Sequence, residues 1–517
     1  MRRLGIVTGL SILLGIGLAT AWADPATVAP LTVISGPSPF LPGCEVTPQP
    51  GSTLYQDAEV EPWVEVNPTD HRNIIAVWQQ DRWSNGGAHA LATAVTHDSG
   101  LSWTRPAPPP FSRCAGGTAA NGGDYDRASD PWVTFAPNGD AYQISLSLNP
   151  FENFVTAVLV SKSTDGGDTW SKPITLIRDT DPRFFNDKES ITADATDARF
   201  VYAVWDRVND PAGDVRRFGV GNLEHKRDRG FTGPALFSRT TDRGHTWEPP
   251  RIIYNPGANN QTLGNQIVVL PDGTLVNFFT EFLTFKNSDG GTQDDVHLSL
   301  IRSTDKGATW THGQPIRAAR QIFQGALDPD TGRPIRAEGV IADVAVDRGN
   351  GNLYAAWQDL RFSGVDEIAF AMSTDGGTTW SEPIKVNRTP RNSAHPLNQQ
   401  AFVPAVHVAD NGTVAVTYYD FRNNTTAAGA PTDYWIVQCR PGISDCGMPT
   451  NWDESRLSGP TSFDIEQAPA ARGPFGFFVG DYEGLTSIGD TFVPVFVQVN
   501  DGHPDNRTDV FETTVSP

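Results

Sequence analysis

From about residue 57 onward, short apolar runs alternate with corners rich in Asn, Asp and Gly. Trp63-Val64-Glu65-Val66 reaches such a corner and the chain returns as Ile74-Ile75-Ala76-Val77-Trp78. Apolar or alternating stretches of this length, bounded by turn formers, predict strands. A third strand over 88–95 and a fourth after Trp103 complete an antiparallel unit. The same opening recurs at Pro131-Trp132-Val133, Ser190-Ile191-Thr192, Gln266-Ile267-Val268, Val340-Ile341-Ala342, Phe402-Val403-Pro404 and Tyr482-Glu483-Gly484, which makes seven units. The last shows only about three strands (481–487, 492–499, 510–514). The Pro-rich segment 24–56, whose strand signal is at 31–34, is expected to supply the fourth and leave no sheet edge unpaired.

One phrase marks the turn after the third strand five times: residues 96–103 (THDSGLSW), 163–170 (STDGGDTW), 240–247 (TTDRGHTW), 303–310 (STDKGATW) and 373–380 (STDGGTTW). Its aspartates, Asp98, Asp165, Asp242, Asp305 and Asp375, are separated by 67, 77, 63 and 70 residues, the near-regular period of a repeated supersecondary unit. The Asp carboxylate can accept from backbone N–H groups of its own turn, Gly supplies backbone angles closed to other residues, and Trp fills the gap between sheets. Five copies at equivalent turns cannot share one active site, so the phrase is read as structural. It resembles the Asp-box, or bacterial neuraminidase repeat, of the sialidase-like β-propellers. The resemblance covers residues 57–517 and implies an all-β propeller of four-stranded antiparallel blades; seven blades are expected here, with six, the number of the sialidases themselves, as the alternative.

The N-terminus, Met1-Arg2-Arg3 followed by an apolar run to Ala21 and Ala21-Trp22-Ala23, reads as a secretory signal peptide over 1–23, with an uncleaved anchor as the alternative. The mature chain is then expected outside the cytoplasm, free of the membrane and monomeric. The full chain's net charge of −21, carried by 60 acidic against 39 basic residues, excludes nucleic acid and anionic membrane as natural partners. Any anion site must therefore be a local arginine cluster. Four cysteines in an exported chain suggest two disulfides. Cys439 and Cys446 lie where the sixth unit lacks its Asp phrase and are expected to staple that hairpin, leaving Cys44 with Cys114; the cysteine spacing has no zinc-site pattern.

A quieter repeat follows the second strands: Trp78-Gln79-Gln80-Asp81-Arg82, Trp205-Asp206-Arg207, Trp357-Gln358-Asp359-Leu360-Arg361 and Tyr419-Asp420-Phe421-Arg422. Arg82, Arg207, Arg361 and Arg422 thus belong to one face, either as a forked clamp for a carboxylate or sulfate or as braces paired with their own aspartates. The starts of the inner strands add Asp126, Asp130, Asp187, Glu189, Glu338, Asp481 and Glu483, around Tyr482. Such acids can divide acid and base roles, or form an ion-paired rim.

Sialidases hold the sialate carboxylate with three arginines and use a Tyr nucleophile, an activating Glu and an Asp acid/base. The resemblance implies Arg207, Arg361 and Arg422, with Arg82, for the clamp, Tyr482 for the nucleophile and Asp130 for the acid. The Phe/Tyr-Arg-Ile-Pro signature of those enzymes is absent, and Gln266 stands where the activating Glu is expected. An amide cannot take up the tyrosine proton, which leaves Glu483 and Glu338 as candidates. Residues 328–332 (DPDTG) and 287–291 (NSDGG) resemble oxygen-rich calcium loops without the full ligand spacing; no cofactor is otherwise expected, calcium being the one alternative. The resulting expectation is a secreted exo-glycosidase for an anionic, sialic-acid-like glycan. The alternatives are a non-catalytic propeller that binds carbohydrate or protein, and a hydrolase or lyase for another acidic sugar.

Overall fold

The computed structural model describes residues 26–47, 49–211, 230–286, 292–337, 339–471 and 476–516. Residues 1–23, where the sequence predicts a signal peptide, Glu338 and residues 287–291 lie outside the described residues.

Among the described residues, seven groups of antiparallel strands follow one another. The first has Leu54–Val66, Ile74–Trp83 and Ala88–Thr96, with Thr104 bridged to Val95 as a rudimentary fourth strand. The second has Arg127–Phe135, Ala141–Asn149, Val155–Ser163 and Ile174–Asp179. The third has Phe184–Ala193, Val201–Asn209, Ala235–Thr240 and Arg251–Tyr254, and the fourth Asn260–Val269, Leu275–Lys286, Thr292–Ser303 and Ile316–Gln321. Asp343–Val346, Leu353–Asp359, Glu367–Ser373 and Ile384–Lys385 form the fifth; Ala401–Val408, Val414–Asp420, Pro431–Cys439 and Asp453–Arg456 the sixth. The seventh has Gly484–Ile488, Thr491–Val499 and Thr508–Glu512, and Thr32–Val33 from the N-terminal segment pairs antiparallel with Phe511 and Glu512 at its outer edge. The first strands of successive groups pack on one another, and that of the seventh packs on that of the first. Two inner strands begin later than the sequence pattern predicts, at Asp343 and Gly484, because the residues before them leave the ladder.

Apolar side chains fill the spaces between neighbouring groups, since each sheet is covered on both faces; every residue of Ile74–Trp83 is buried. Tyr202 and Phe237 of the third group meet Leu275, Phe279 and Trp310 of the fourth, and Phe278 and Leu300 of the fourth meet Ala355 and Trp357 of the fifth.

The five Asp phrases fold alike. Asp98 Oδ1 accepts from Ser102 N (2.8 Å) and Oδ2 from the Ser102 hydroxyl (2.6 Å). Asp165, Asp242, Asp305 and Asp375 accept the same pair from Thr169, Thr246, Thr309 and Thr379. The turns rest on the preceding group: Asn73 Nδ2 donates to Gly166 O at 2.9 Å, and Gly307, at φ +81°, lies so close to the Phe237 ring that a β-carbon would clash. Two disulfides are formed, Cys44–Cys114 and Cys439–Cys446, the second next to the hairpin that lacks an Asp phrase.

Candidate functional site

Five inner strands break register near their starts, between Val60 and Trp63, Ser129 and Trp132, Asp187 and Ser190, Leu263 and Gln266, and Phe402 and Ala405. Each break holds a residue in the left-handed region: Glu61 (φ 54°), Asp130 (φ 52°), Lys188 (φ 49°), Gly264 (φ 63°) and Val403 (φ 50°). Bulges of this kind re-aim side chains, and for a β-branched residue such as Val403 the conformation costs on the order of 1–3 kcal/mol.

Three of the re-aimed side chains meet. Lys188 Nζ lies 3.1 Å from Glu61 Oε1, 3.0 Å from Asp130 Oδ1 and 2.6 Å from Asp481 Oδ2. Arg336 holds the same Asp481 through Nε (3.1 Å) and Nη2 (2.6 Å). Arg82 donates through Nη1 to Gln79 Oε1 (2.5 Å), and Gln79 in turn bonds Glu61. The Arg82 and Arg336 guanidinium carbons sit 4.6 and 4.7 Å from the centre of the Phe478 ring, and among the described residues the buried Arg82 Nε has no acceptor. Beneath this layer Trp63 stacks on Trp132 with ring centres 3.4 Å apart, and Tyr482 packs against both.

Burial and charge divide the acids. Burial disfavours the Asp481 charge, but Arg336 and Lys188 outweigh it and hold this carboxyl well below the usual range. Glu61 is pushed up to about 8 by burial, reinforced by Asp481 and Asp130 and opposed by Lys188. Burial, followed by Asp130, raises Asp187 to about 7 and Glu189 well above its ordinary value. Lys188 is held charged against burial by Asp130, Asp481 and Glu61. Burial and Arg336 lower Arg82 to about 10.

Of the residues singled out in the sequence, Arg82, Asp130, Asp187, Glu189, Asp481 and Tyr482 come together here. Arg361 and Arg422 instead brace their own groups, Arg361 forking onto Asp359 and Arg422 pairing with Asp420 and Glu454, while Arg207 of the third group forks onto Asp179 of the second. An Asp two residues before Arg361 or Arg422 is close enough to capture the guanidinium, so the structure does not bring the four arginines together: Arg82 lies in this cluster, beside Arg336, and the other three lie elsewhere. Asp126 lies on Arg113 and Thr47. Glu483 points away from Tyr482 and accepts from the Tyr419 hydroxyl (2.9 Å) and Val497 N (3.2 Å), because adjacent residues face opposite ways. The Tyr482 hydroxyl donates to Pro131 O at 3.2 Å, and burial, followed by the charge of Glu61, pushes its pKa well up. Gln266 donates to Ala342 O at 3.3 Å. Asp328 accepts from Asp330 N, Thr331 N and the Thr331 hydroxyl, closing a local turn. Glu61, Lys188, Arg336 and Phe478 were not singled out; the echo of Glu61-Pro62-Trp63 in Asp130-Pro131-Trp132 is the signal for the first.

Comparisons with known proteins agree with the repeat. Residues 235–396 match the BNR repeat-like domain and contain three of the five Asp phrases. The resemblance to sialidase-like BNR-repeat proteins therefore stands. A xyloglucanase from a Paenibacillus species is 26% identical over 185 residues, which are 35% of this chain and 15% of that protein. A Dyadobacter fermentans protein of unknown function superposes with a TM-score of 0.45 at 14% identity, covering 75% of this chain and 94% of that one. For the NanB sialidase of Streptococcus pneumoniae the values are 0.44 and 11%, over 90% and 94% of the chains. For a Penicillium chrysogenum alpha-L-arabinanase they are 0.43 and 13%, over 94% and 98%.

Proposed function

We propose that the chain is a seven-bladed β-propeller, closed at its outer edge by the N-terminal segment, which hydrolyses a glycosidic bond of an acidic glycan where the inner strands begin. The observation that carries this reading is the convergence of Glu61, Asp130 and Asp481 on Lys188 beside an arginine whose buried Nε has no partner among the described residues. Glycoside cleavage requires a carboxyl that keeps its proton and another that stays ionised, and groups whose pKa values are driven apart are suited to that division. Glu61 is assigned as proton donor to the leaving oxygen and Asp481 as the carboxylate that stabilises the developing positive charge. Arg82 receives the acidic group of the sugar; sialic acid is one candidate among acidic sugars, and Tyr482 forms the wall behind it. The similarity to a xyloglucanase segment and the two disulfides support a glycan-directed protein working outside the cytoplasm. Among the described residues no helix is long and apolar enough to cross a membrane.

Binding without turnover is the second reading, favoured by Gln266 in place of a carboxylate and by a cluster whose charges already neutralise one another. The deciding experiment presents the purified protein with fluorogenic sialoside, uronide and neutral glycosides, beside Glu61→Gln and Asp481→Asn. Cleavage of an acidic glycoside that both folded variants lose by at least 100-fold supports hydrolysis. Glycan binding with no turnover anywhere in the panel gives the binding reading instead.

A further inference from the structure

Each first strand runs from the acid cluster toward the side where the Asp phrases lie, because the second strand returns and the third runs the same way as the first. Between the far halves of these first strands is a cavity of about 550 Å³, to which all seven groups contribute. That size falls within the range of about 300–1,000 Å³ of small-molecule sites. Trp63 and Trp132 line its inner end. The same two indoles stack beneath Lys188 and its acids, so they stand between the cavity and that cluster, and none of Glu61, Asp130, Lys188 or Asp481 lines it. At the far end Pro68, His71, Arg348 and Asp410 are exposed, which opens the cavity to solvent on the side of the Asp phrases.

The wall offers hydrogen-bonding groups of both kinds. Glu65, half-buried, lies in the field of Arg348, whose charge opposes the rise that burial imposes on this carboxyl. Gln266 spends its amide N–H on Ala342 O (3.3 Å), and among the described residues nothing donates to its carbonyl oxygen. His407 and the Ser487 hydroxyl, 3.1 Å apart, join the sixth and seventh groups. Burial, and then Arg348, push His407 down to about 3, so its imidazole is uncharged at neutral pH. An anionic ligand would face Glu65 and Asp343, and a cationic one would face Arg348. A neutral ring with several hydroxyls suits both, since a hydroxyl donates to a carboxylate and accepts from a guanidinium, while the apolar C–H face of the ring packs on an indole.

We propose that this cavity binds a neutral monosaccharide, or the end unit of a neutral oligosaccharide, between Trp63 at its inner end and Glu65, Gln266 and Arg348 on its wall. The site is separate from the acid cluster and does not depend on whether that cluster cleaves a glycosidic bond. It also gives Gln266 a task as an amide, because uncharged hydroxyls need a donor and an acceptor rather than a base.

The test is saturation-transfer NMR and calorimetric titration of the full chain with glucose, galactose, mannose, xylose and their β-linked disaccharides, beside Glu65→Met, Gln266→Met and Arg82→Met. At least one of these sugars should bind wild type. Glu65→Met and Gln266→Met should weaken it by about tenfold or more, the size expected for losing a hydrogen bond to a charged or buried group, while Arg82→Met should bind it as wild type does. No binding anywhere in the panel overturns the proposal. Binding that neither Glu65→Met nor Gln266→Met weakens also overturns it, and if Arg82→Met loses that binding the sugar sits at the acid cluster instead. If the two cavity variants do not fold, a wild-type crystal soaked with the binding sugar decides: sugar against Trp63 in the cavity supports the site, and sugar found only elsewhere overturns it.

Discussion

Lys188 Nζ and Asp481 Oδ2 lie 2.6 Å apart although 293 residues of chain separate them. With Glu61 and Asp130 on the same ammonium group, this pair links the first, second, third and seventh groups at one point. Removing the cation would leave three buried carboxyls without it, and an uncompensated buried charge destabilises by about 3–5 kcal/mol. Lys188→Met is therefore expected to lose stability of that size in equilibrium denaturation, and Lys188→Met/Asp481→Asn to recover part of it. A single variant within about 1 kcal/mol of wild type would show that the network does not hold the groups together.

The same network sets a pH dependence. Glu61 and Asp187 are raised to about 8 and about 7, so the folded protein keeps protons that the unfolded chain has released above about 4.5 and 3.8. Their contribution is complete below those unfolded values and is lost as pH rises through 7 and 8. Asp481, held low, contributes in the opposite sense, and its share is lost as pH falls below the ordinary carboxylate range. Melting temperatures should fall from pH 5 to pH 8, with a smaller fall in Glu61→Gln. An unchanged fall in that variant would remove Glu61 from the account.

The repeat and most unit openings were legible because turn chemistry and apolar runs are local. The cluster was only half legible. Asp130, Asp187 and Asp481 could be found from their place at the inner-strand starts, but Glu61 and Lys188 depend on bulges that shift the alternation of faces, and no period-two pattern carries that shift. Arg336 lies in a stretch without a strand signal and reaches Asp481 across 145 residues of chain. The Asp-Arg repeat was visible, but its role turned on whether each Asp could hold its own Arg, a matter of side-chain distances.

That distinction separates the arginines experimentally. Among the described residues the buried Arg82 Nε has no partner, whereas Arg361 is committed to Asp359 and Arg422 to Asp420 and Glu454. Arg82→Met is expected to weaken binding of an acidic glycan at least tenfold. Arg361→Ala and Arg422→Ala should bind it as wild type does while melting at lower temperature. Calorimetric titration together with thermal melts checks both halves. A loss of glycan affinity in Arg361→Ala or Arg422→Ala would restore the clamp that the Asp-Arg repeat first suggested.

The aromatic residue that ends each Asp phrase should matter for stability alone. Trp310 is 6% exposed and meets the Phe237 ring edge-on at 5.4 Å, in a cluster that also takes in Tyr202 and Val204 of the third group and Leu275 of the fourth. Truncating a buried Trp to Ala removes the largest side chain from such an interface and costs about 3–5 kcal/mol. The turn itself should survive, because the Asp305 bonds to Thr309 do not involve the indole. Trp310→Ala is therefore expected to lower the denaturation midpoint sharply and Trp310→Phe to restore part of it. Residual folded protein should keep wild-type glycan affinity; a variant that stays stable but loses affinity would move this residue from the packing between groups into the binding machinery.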